Sequence, residues 1–303
     1  MAVKNNCIVG IDIGGTNFRI GAVYPDWTVS HFRRIPVAQV FQTQNAIEDL
    51  ASFLKDYLGT LDYEGSEINT VSIGFPATLD RNRQIVLQAP NLPFVEHLSV
   101  VLELSKILGV PVLIERDVTM ALLYDRNRYK LTDAGVIAGF YFGTGIGNAI
   151  CIDGIPLLGH NGVAGELGHI PVDGSDIPCG CGNIGCMESL AGGKYLAQLC
   201  QEQYPNTNIS QIFCKHGTEP HLLKFIDRMA IAVATEVNIL DPDYVLIGGG
   251  VPNMAGFPQN LLLERILFRV RKPYPAENLP IIFTDDVEEK GVVGAAHYVY
   301  SRD

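Results

Sequence analysis

Residues 165–188 read GELGHIPVDGSDIPCGCGNIGCME. Cys179, Cys181 and Cys186 fall within eight positions, and His169 lies ten residues before the first of them. Thiolates and one imidazole suit Zn²⁺, which takes three or four such ligands in a tetrahedron. Gly180, Gly182 and Gly185 permit the tight turns by which three sulfurs converge. The alternatives are buried free thiols, or one disulfide and a spare thiol, but a glycine-laced polar loop makes a poor core segment. Four protein ligands would close the tetrahedron and leave no position for water or substrate, so the zinc is expected to be structural.

Glu166 and Glu188 flank this loop. Carboxylates held on a rigid support could accept hydrogen bonds from sugar hydroxyls. The plainer reading is a pair of solvated surface acids.

Upstream, CIVGIDIGGTNFRIGAVY (7–24) reads as strand, glycine turn, strand. The turn at Gly14, Gly15 and Thr16 can present bare backbone N–H groups to phosphate oxygens. Asp12, just before it, could hold Mg²⁺ directly or through water. Residues 135–153, GVIAGFYFGTGIGNAICID, repeat the theme with Gly143, Thr144, Gly145 and Gly147 at the turn. A strand follows this second glycine run where a dinucleotide fingerprint would need a helix, so it is not one. Two such hairpins predict a duplicated architecture with one phosphate loop per lobe and ATP between them. The run YVLIGGG (244–250) is a strand entering Gly248, Gly249 and Gly250, either a simple turn or a place where a flat adenine or ribose approaches the backbone.

Other segments are read for packing. Residues 43–59 carry apolar side chains at helical spacing, with Thr43 as N-cap and Gly59 as stop. Residues 95–109, 118–129, 191–203, 220–240, 259–270 and 291–300 are also expected to be helical. Ala89-Pro90-Asn91-Leu92-Pro93 is a rigid turn around one asparagine. The strand 112–115 delivers Arg116 and Asp117 where a helix begins, a position at which a carboxylate is an N-cap or a ligand-facing group.

The chain has 303 residues, enough for two domains, with 47% hydrophobic residues to supply two cores. A formal net charge of −11 argues against nucleic acid or an anionic membrane as a partner. The densest basic run, Arg269–Lys272, reads as a helix end. No apolar run reaches the ~18–20 residues that span a bilayer, and the N-terminus lacks a signal-peptide layout. Seven cysteines, an odd number with a thiolate metal site, imply a reducing compartment, so the expected location is cytoplasmic.

GELGH followed by CGCGNIGCME resembles the signature of the ROK family (repressors, open reading frames and sugar kinases), and the DxGGT hairpin resembles the first phosphate motif of the actin-like, hexokinase-like ATPase fold. The resemblance runs from residue 8 to about residue 296, and within the family the chain is most similar to the D-allose kinases. It implies a two-lobed α/β fold of the ribonuclease H-like type with a zinc loop. The expected division is a small lobe of residues 1–118, completed by a C-terminal helix of about 291–303, and a large lobe of 119–290.

By that resemblance Asp117 is the catalytic base, and Asn91, Arg116, Glu166, His169 and Glu188 hold a hexose, His169 sharing the zinc. Residues 14–16, 143–147 and 248–250 hold the nucleotide, which carries Mg²⁺. The implied reaction moves the γ-phosphoryl group of MgATP to the 6-hydroxyl of D-allose, with glucose, fructose and N-acetylmannosamine as alternatives and a homodimer as the assembly. Lobe closure is expected to exclude water. Many members carry asparagine on both sides of the aspartate (NDAN), whereas this chain has Arg116 and Thr119. Arginine only donates hydrogen bonds, which would change the grip on the sugar and count against glucose. The family's repressors add a helix-turn-helix segment before the sugar lobe; with the first strand expected to start near Cys7, a repressor is not the expected reading. A sensor without activity would be expected to lose the base or a phosphate loop.

Overall fold

The computed structural model describes residues 5–63 and 66–301. The chain divides into two compact units, residues 1–130, 158–164 and 287–303 in the first, and residues 131–157 and 165–286 in the second. The sequence placed the change at 118/119. The first unit instead keeps the helix that follows Arg116, and it takes in the short segment 158–164.

Unit 1 opens with an antiparallel meander, β1 (Asn5–Ile13), β2 (Asn17–Val23) and β3 (Val29–Pro36), followed by α1 (Val37–Val40) and α2 (Ala46–Tyr63). Then come β4 (Ser66–Phe75), a small hairpin of β5 (Thr78–Leu79) and β6 (Val86–Gln88), α3 (Val100–Leu108), β7 (Val112–Arg116) and α4 (Asp117–Arg128). The sheet order is β3-β2-β1-β4-β7, with β1, β4 and β7 parallel. Strand alternation explains the two faces of β1. Val9, Ile11 and Ile13 join the core beneath α2, with Leu50, Leu54 and Tyr57.

The helix α2 begins later than its apolar spacing suggested. Asn45 caps it, accepting from the Glu48 N–H, while the Asp49 carboxylate takes the N–H groups of Gln42 and Thr43. Thr43 therefore lies in the entry turn, and Gly59 is an interior helical residue. Likewise α3 starts at Val100, because Pro93–Val95 form a separate 3₁₀ turn.

Unit 2 repeats the wiring with β8 (Val136–Phe142), β9 (Ile146–Ile152) and β10 (Ile155–Pro156), followed by α5 (Glu188–Ala191), α6 (Gly193–Gln203), α7 (Ile212–His216), α8 (Pro220–Leu240), β11 (Tyr244–Gly248), α9 (Gln259–Arg269) and β12 (Ile281–Phe283). Its sheet order is β10-β9-β8-β11-β12, antiparallel in the first three strands and parallel in the last three. The helix α8 starts on Pro220 and buries Leu222, Phe225, Ile226, Met229, Val233 and Val237, one face at helical spacing. Lys272 bears out the reading of the basic run, its ammonium bonding the carbonyls of Leu267, Phe268 and Val270 at the end of α9.

The chain returns to unit 1 as α10 (Lys290–Tyr300), packing on the β1 face that carries Ile8, Gly10 and Asp12. A Cβ at Gly10 would lie 2.1 Å from the Val292 carbonyl oxygen, and one at Gly294 would lie 2.1 Å from that of Met120, so α10 reaches sheet and α4 only through glycine. Lys290 Nζ pairs with the buried Asp125 of α4 at 2.9 Å. The expected helix end at 302–303 lies outside the described residues. Among the described residues no helix is long and apolar enough to cross a membrane.

Glu236 of α8 is the buried acid of unit 2, its Oε1 accepting from Asn148 Nδ2 at 2.9 Å, and burial pushes its carboxyl up to about 7. The folded chain thus holds a proton that the unfolded chain releases at lower pH, and stability falls as pH rises toward 7. Glu236→Gln should raise the melting temperature at pH 8 by a few degrees and much less at pH 5. An equal gain at both values would mean that burial does not hold the proton.

Candidate active site and metal centre

In unit 1 three parallel strands end side by side. Asp12 closes the pairing of β1 with β4, opposite Gly74, and Phe75 of β4 pairs with Arg116 of β7. The helix α4 then starts at Asp117. A Cβ on Gly74 would lie 3.4 Å from the Asp117 Cα, so the strand ends stay close.

The Asp117 carboxylate accepts the Val118 N–H at 2.8 Å. Burial, and then the neighbouring Asp12 carboxylate, push its carboxyl up to about 7, against the pull of that N–H and of the Arg116 cation. Asp12 is also pushed up by burial, opposed by Arg19, whose Nη1 lies 2.8 Å from its Oδ2. Arg19 was not among the expected site residues. Its signal was the hairpin itself, since a turn centred on residues 14–16 sets Arg19 opposite Asp12.

The turn is closed by the Gly14 N–H on the Asn17 carbonyl, and Gly15 and Thr16 are exposed. The ideal Cβ position on Gly15 lies 3.4 Å from the Asn91 Cβ, so Asn91 stands beside this hairpin. Arg116 is different. Its guanidinium is buried and donates from Nη2 to the Ala164 carbonyl at 2.8 Å.

In unit 2, Gly143, Thr144 and Gly145 form the turn between β8 and β9, and Gly147 lies in β9. The turn is stitched to the start of α6 by the Gly193 and Lys194 N–H groups on the carbonyls of Gly143 and Thr144. The glycine run at the end of β11 is brought to the same place, since the Val251 N–H bonds the Phe142 carbonyl and Gly249 packs against Phe142. Gly248 faces Thr284, while Gly250 has open space where a side chain would be. Glu188, at the start of α5, turns toward this hairpin: its Oε2 accepts the Ile146 N–H at 2.8 Å. Any Cβ on Gly145 would collide with that carboxylate.

The metal loop brings its four expected ligands together, the donor atoms of His169, Cys179, Cys181 and Cys186 lying within 4.8 Å of one another. His169 Nδ1 stands 3.6 Å from Cys179 Sγ, and Cys181 Sγ stands 3.7 Å from Cys186 Sγ. A tetrahedron with Zn–S near ~2.3 Å and Zn–N near ~2.0 Å has edges of about those lengths, so the donor set fits zinc. The Asn183 backbone N–H at Cys181 lowers that thiol's pKa, whereas burial and the neighbouring thiols push Cys186 up to about 12. A divalent cation would reverse that repulsion.

Asn183 is thus a turn residue that serves a sulfur through its backbone. Gly182 and Gly185 adopt the left-handed conformation expected of the tight turns, and Gly180 does not. The His169 Nε2 lies 3.6 Å from Glu166 Oε2, so the second nitrogen of the ring faces the carboxylate on the loop's leading flank.

The ROK family model matches residues 8–302. The chain belongs to the ROK family. The glucokinase of Thermotoga maritima is 26% identical over 97% of this chain and 98% of its own. The N-acetyl-D-glucosamine kinase of Pectobacterium atrosepticum is 29% identical over 95% and 97%. Among solved structures, the ROK hexokinase of Thermus thermophilus superposes with a TM-score of 0.78 at 25% identity, covering 98% of this chain and 99% of that one. These likenesses support the two-lobed hexokinase-like architecture and extend along nearly the whole chain.

For this ROK protein the metal loop gives a direct test. Elemental analysis of protein grown with zinc should find about one Zn²⁺ per chain, and Cys186→Ser should lose most of it together with thermal stability. A protein that is folded and zinc-free would refute the assignment.

Proposed function

We propose that the chain is an ATP-dependent hexose kinase with Asp117 as general base. The observation that carries this reading is geometric: the buried Asp117 carboxyl stands at the junction of β7 and α4, with Asp12 beside it and a glycine hairpin at the end of the same sheet, and burial raises its pKa. A base is most effective when its pKa lies near the working pH. Asp117 accepts the proton of the attacking sugar hydroxyl as its oxygen bonds to the γ-phosphorus and the bond to ADP breaks. The N–H groups of the hairpins at residues 14–16 and 143–147 orient phosphate oxygens, and Asp12 would hold the Mg²⁺ that accompanies ATP, directly or through water. Mg²⁺ neutralises phosphate charge when bound. Asn91, Glu166 and His169 offer the sugar hydrogen-bonding groups, and Glu188 acts first on the Gly143–Gly147 hairpin. Residues 248–250 leave room for adenosine at Gly250. Zinc held by His169 and the three cysteines has a closed ligand set, so its part is to fix the loop.

The acceptor is read as D-allose on the departure from NDAN at Arg116 and Thr119. Relatives named glucokinase and N-acetylglucosamine kinase make D-glucose and N-acetyl-D-glucosamine the acceptors that must lose in the same assay. ADP release should be measured on D-allose, D-glucose, D-fructose, D-mannose, N-acetyl-D-glucosamine and N-acetyl-D-mannosamine. A rate on allose well above the others supports the full reading, and a better rate elsewhere replaces the acceptor alone. No release on any sugar by folded, metal-loaded protein would overturn the kinase assignment.

The base makes a second prediction. Asp117→Asn should lower kcat by about 10²–10⁴ while the sugar still binds. In the wild type, kcat/KM should fall about tenfold per pH unit below pH 7, because only the ionised carboxylate accepts a proton. A profile flat down to pH 5 would remove Asp117 from that role.

A further inference from the structure

Residues 158–164 leave the end of β10, pack with unit 1, and lead directly into Gly165 and Glu166. The segment is a turn closed by the Ala164 N–H on the Leu158 carbonyl at 3.0 Å. Three arginines hold it by alternate carbonyls. Arg81 Nη1 donates to His160 O at 2.8 Å, Arg83 Nη1 to Gly162 O at 2.9 Å, and Arg116 Nη2 to Ala164 O at 2.8 Å.

This arrangement is elaborate for a surface turn. Arg83 is 3% exposed and its partner Glu115 is fully buried, with Nε and Oε2 2.7 Å apart. Glu115 Oε1 also takes the Arg116 backbone N–H. A buried guanidinium group is costly to desolvate, and that of Arg83 is met by the Glu115 carboxylate and by the carbonyls of Asp80 and Gly162. Arg83 sits in the left-handed region, φ 56°, imposed by a turn in which Asp80 Oδ1 accepts the N–H groups of Gln84 and Ile85. Gly162 is needed too, because a Cβ there would lie 2.6 Å from Arg83 Nη1 and 2.9 Å from the Arg81 Cα. Apolar packing would stabilise such a turn more cheaply. What buried, directional hydrogen bonds add is a fixed backbone position.

We infer that Arg81, Arg83 and Arg116 form a cradle that positions the backbone feeding Glu166 and His169, and that Arg116 influences sugar binding through Ala164 without touching the sugar. The inference rests on the sugar-kinase reading for the identity of the ligand. It changes the meaning of the departure from NDAN. The arginine is a positioning residue for residues 164–166, and the hydroxyl-contacting role of the family's asparagine is not carried by its guanidinium.

The test is sugar affinity by isothermal titration with the best acceptor of the panel, alongside ATP affinity and turnover. Arg81 is exposed, and its side chain donates to the His160 carbonyl. If the cradle acts as a unit, Arg81→Ala should weaken sugar binding about threefold and Arg116→Ala about tenfold. Arg116→Lys, which can still donate to Ala164, should recover most of the loss. ATP affinity should stay within about twofold throughout.

Weakening by Arg116→Ala alone, with Arg81→Ala equal to wild type, would overturn the cradle in favour of direct sugar contact. A parallel loss of ATP and sugar affinity with a lowered melting temperature would reduce it to general stability. A wild type that binds sugar but transfers no phosphate would refute the kinase reading while the affinities still decide the cradle. A wild type that binds no sugar would overturn both.

Discussion

The arrangement most other features answer to is a pair of carboxylates, Asp12 and Asp117, held at one edge of a parallel sheet. Parallel strands deliver their C-terminal ends together, so the residues at the ends of β1 and β7 must meet across β4. Gly74 keeps that middle strand thin enough for them to do so. Burial and mutual repulsion make the pair unfavourable as two full charges. Arg19 stabilises one member, and the other retains its proton up to about pH 7. A site of this kind destabilises its own unit. It persists because the opposite face of the same strands buries Val9, Ile11, Val71, Ile73 and Ile114 in a continuous core.

Local pattern was legible in the sequence wherever the physics is local. Both glycine hairpins, the three-cysteine loop with its histidine, and the helix from Pro220 to Leu240 follow from spacing over a few residues, and each stands where it was read. Thr43 and Gly59 misled because an N-cap preference or a helix-breaking glycine is a weak term. Asn45 and the Asp49 carboxylate outcompeted the first, and the packing of Leu54, Tyr57 and Leu61 overrode the second. The unit boundary failed for a non-local reason: α4 is claimed by α10, through Lys290 on Asp125 and Gly294 on Met120, from residues more than a hundred positions away in the chain. Arg116 shows the limit most clearly. Its residue type could be judged from the sequence, but its partner, the Ala164 carbonyl, is a backbone atom that no side-chain pattern announces.

Glu188 links two features that the sequence presented separately. It follows Cys186 by two residues and opens α5, so the metal loop sets its backbone. Its carboxylate then fills the space beside Gly145 and fixes the Ile146 N–H, and its own carbonyl accepts the Gly192 N–H just before α6. The glycine turn is thereby gripped from one side by Glu188 and from the other by the N–H groups of Gly193 and Lys194 on its carbonyls. A glycine-rich turn is intrinsically loose, and a phosphate-binding turn must present its N–H groups without further reorganisation. The three cysteines of the loop sit at the far end of this chain of contacts and need never approach a substrate to affect it. A cation bound there would restrict the loop, the loop the start of α5, and α5 the turn. If the loop holds zinc as proposed, the ion's contribution would be the entropy it removes from Gly143–Gly147, delivered through Glu188.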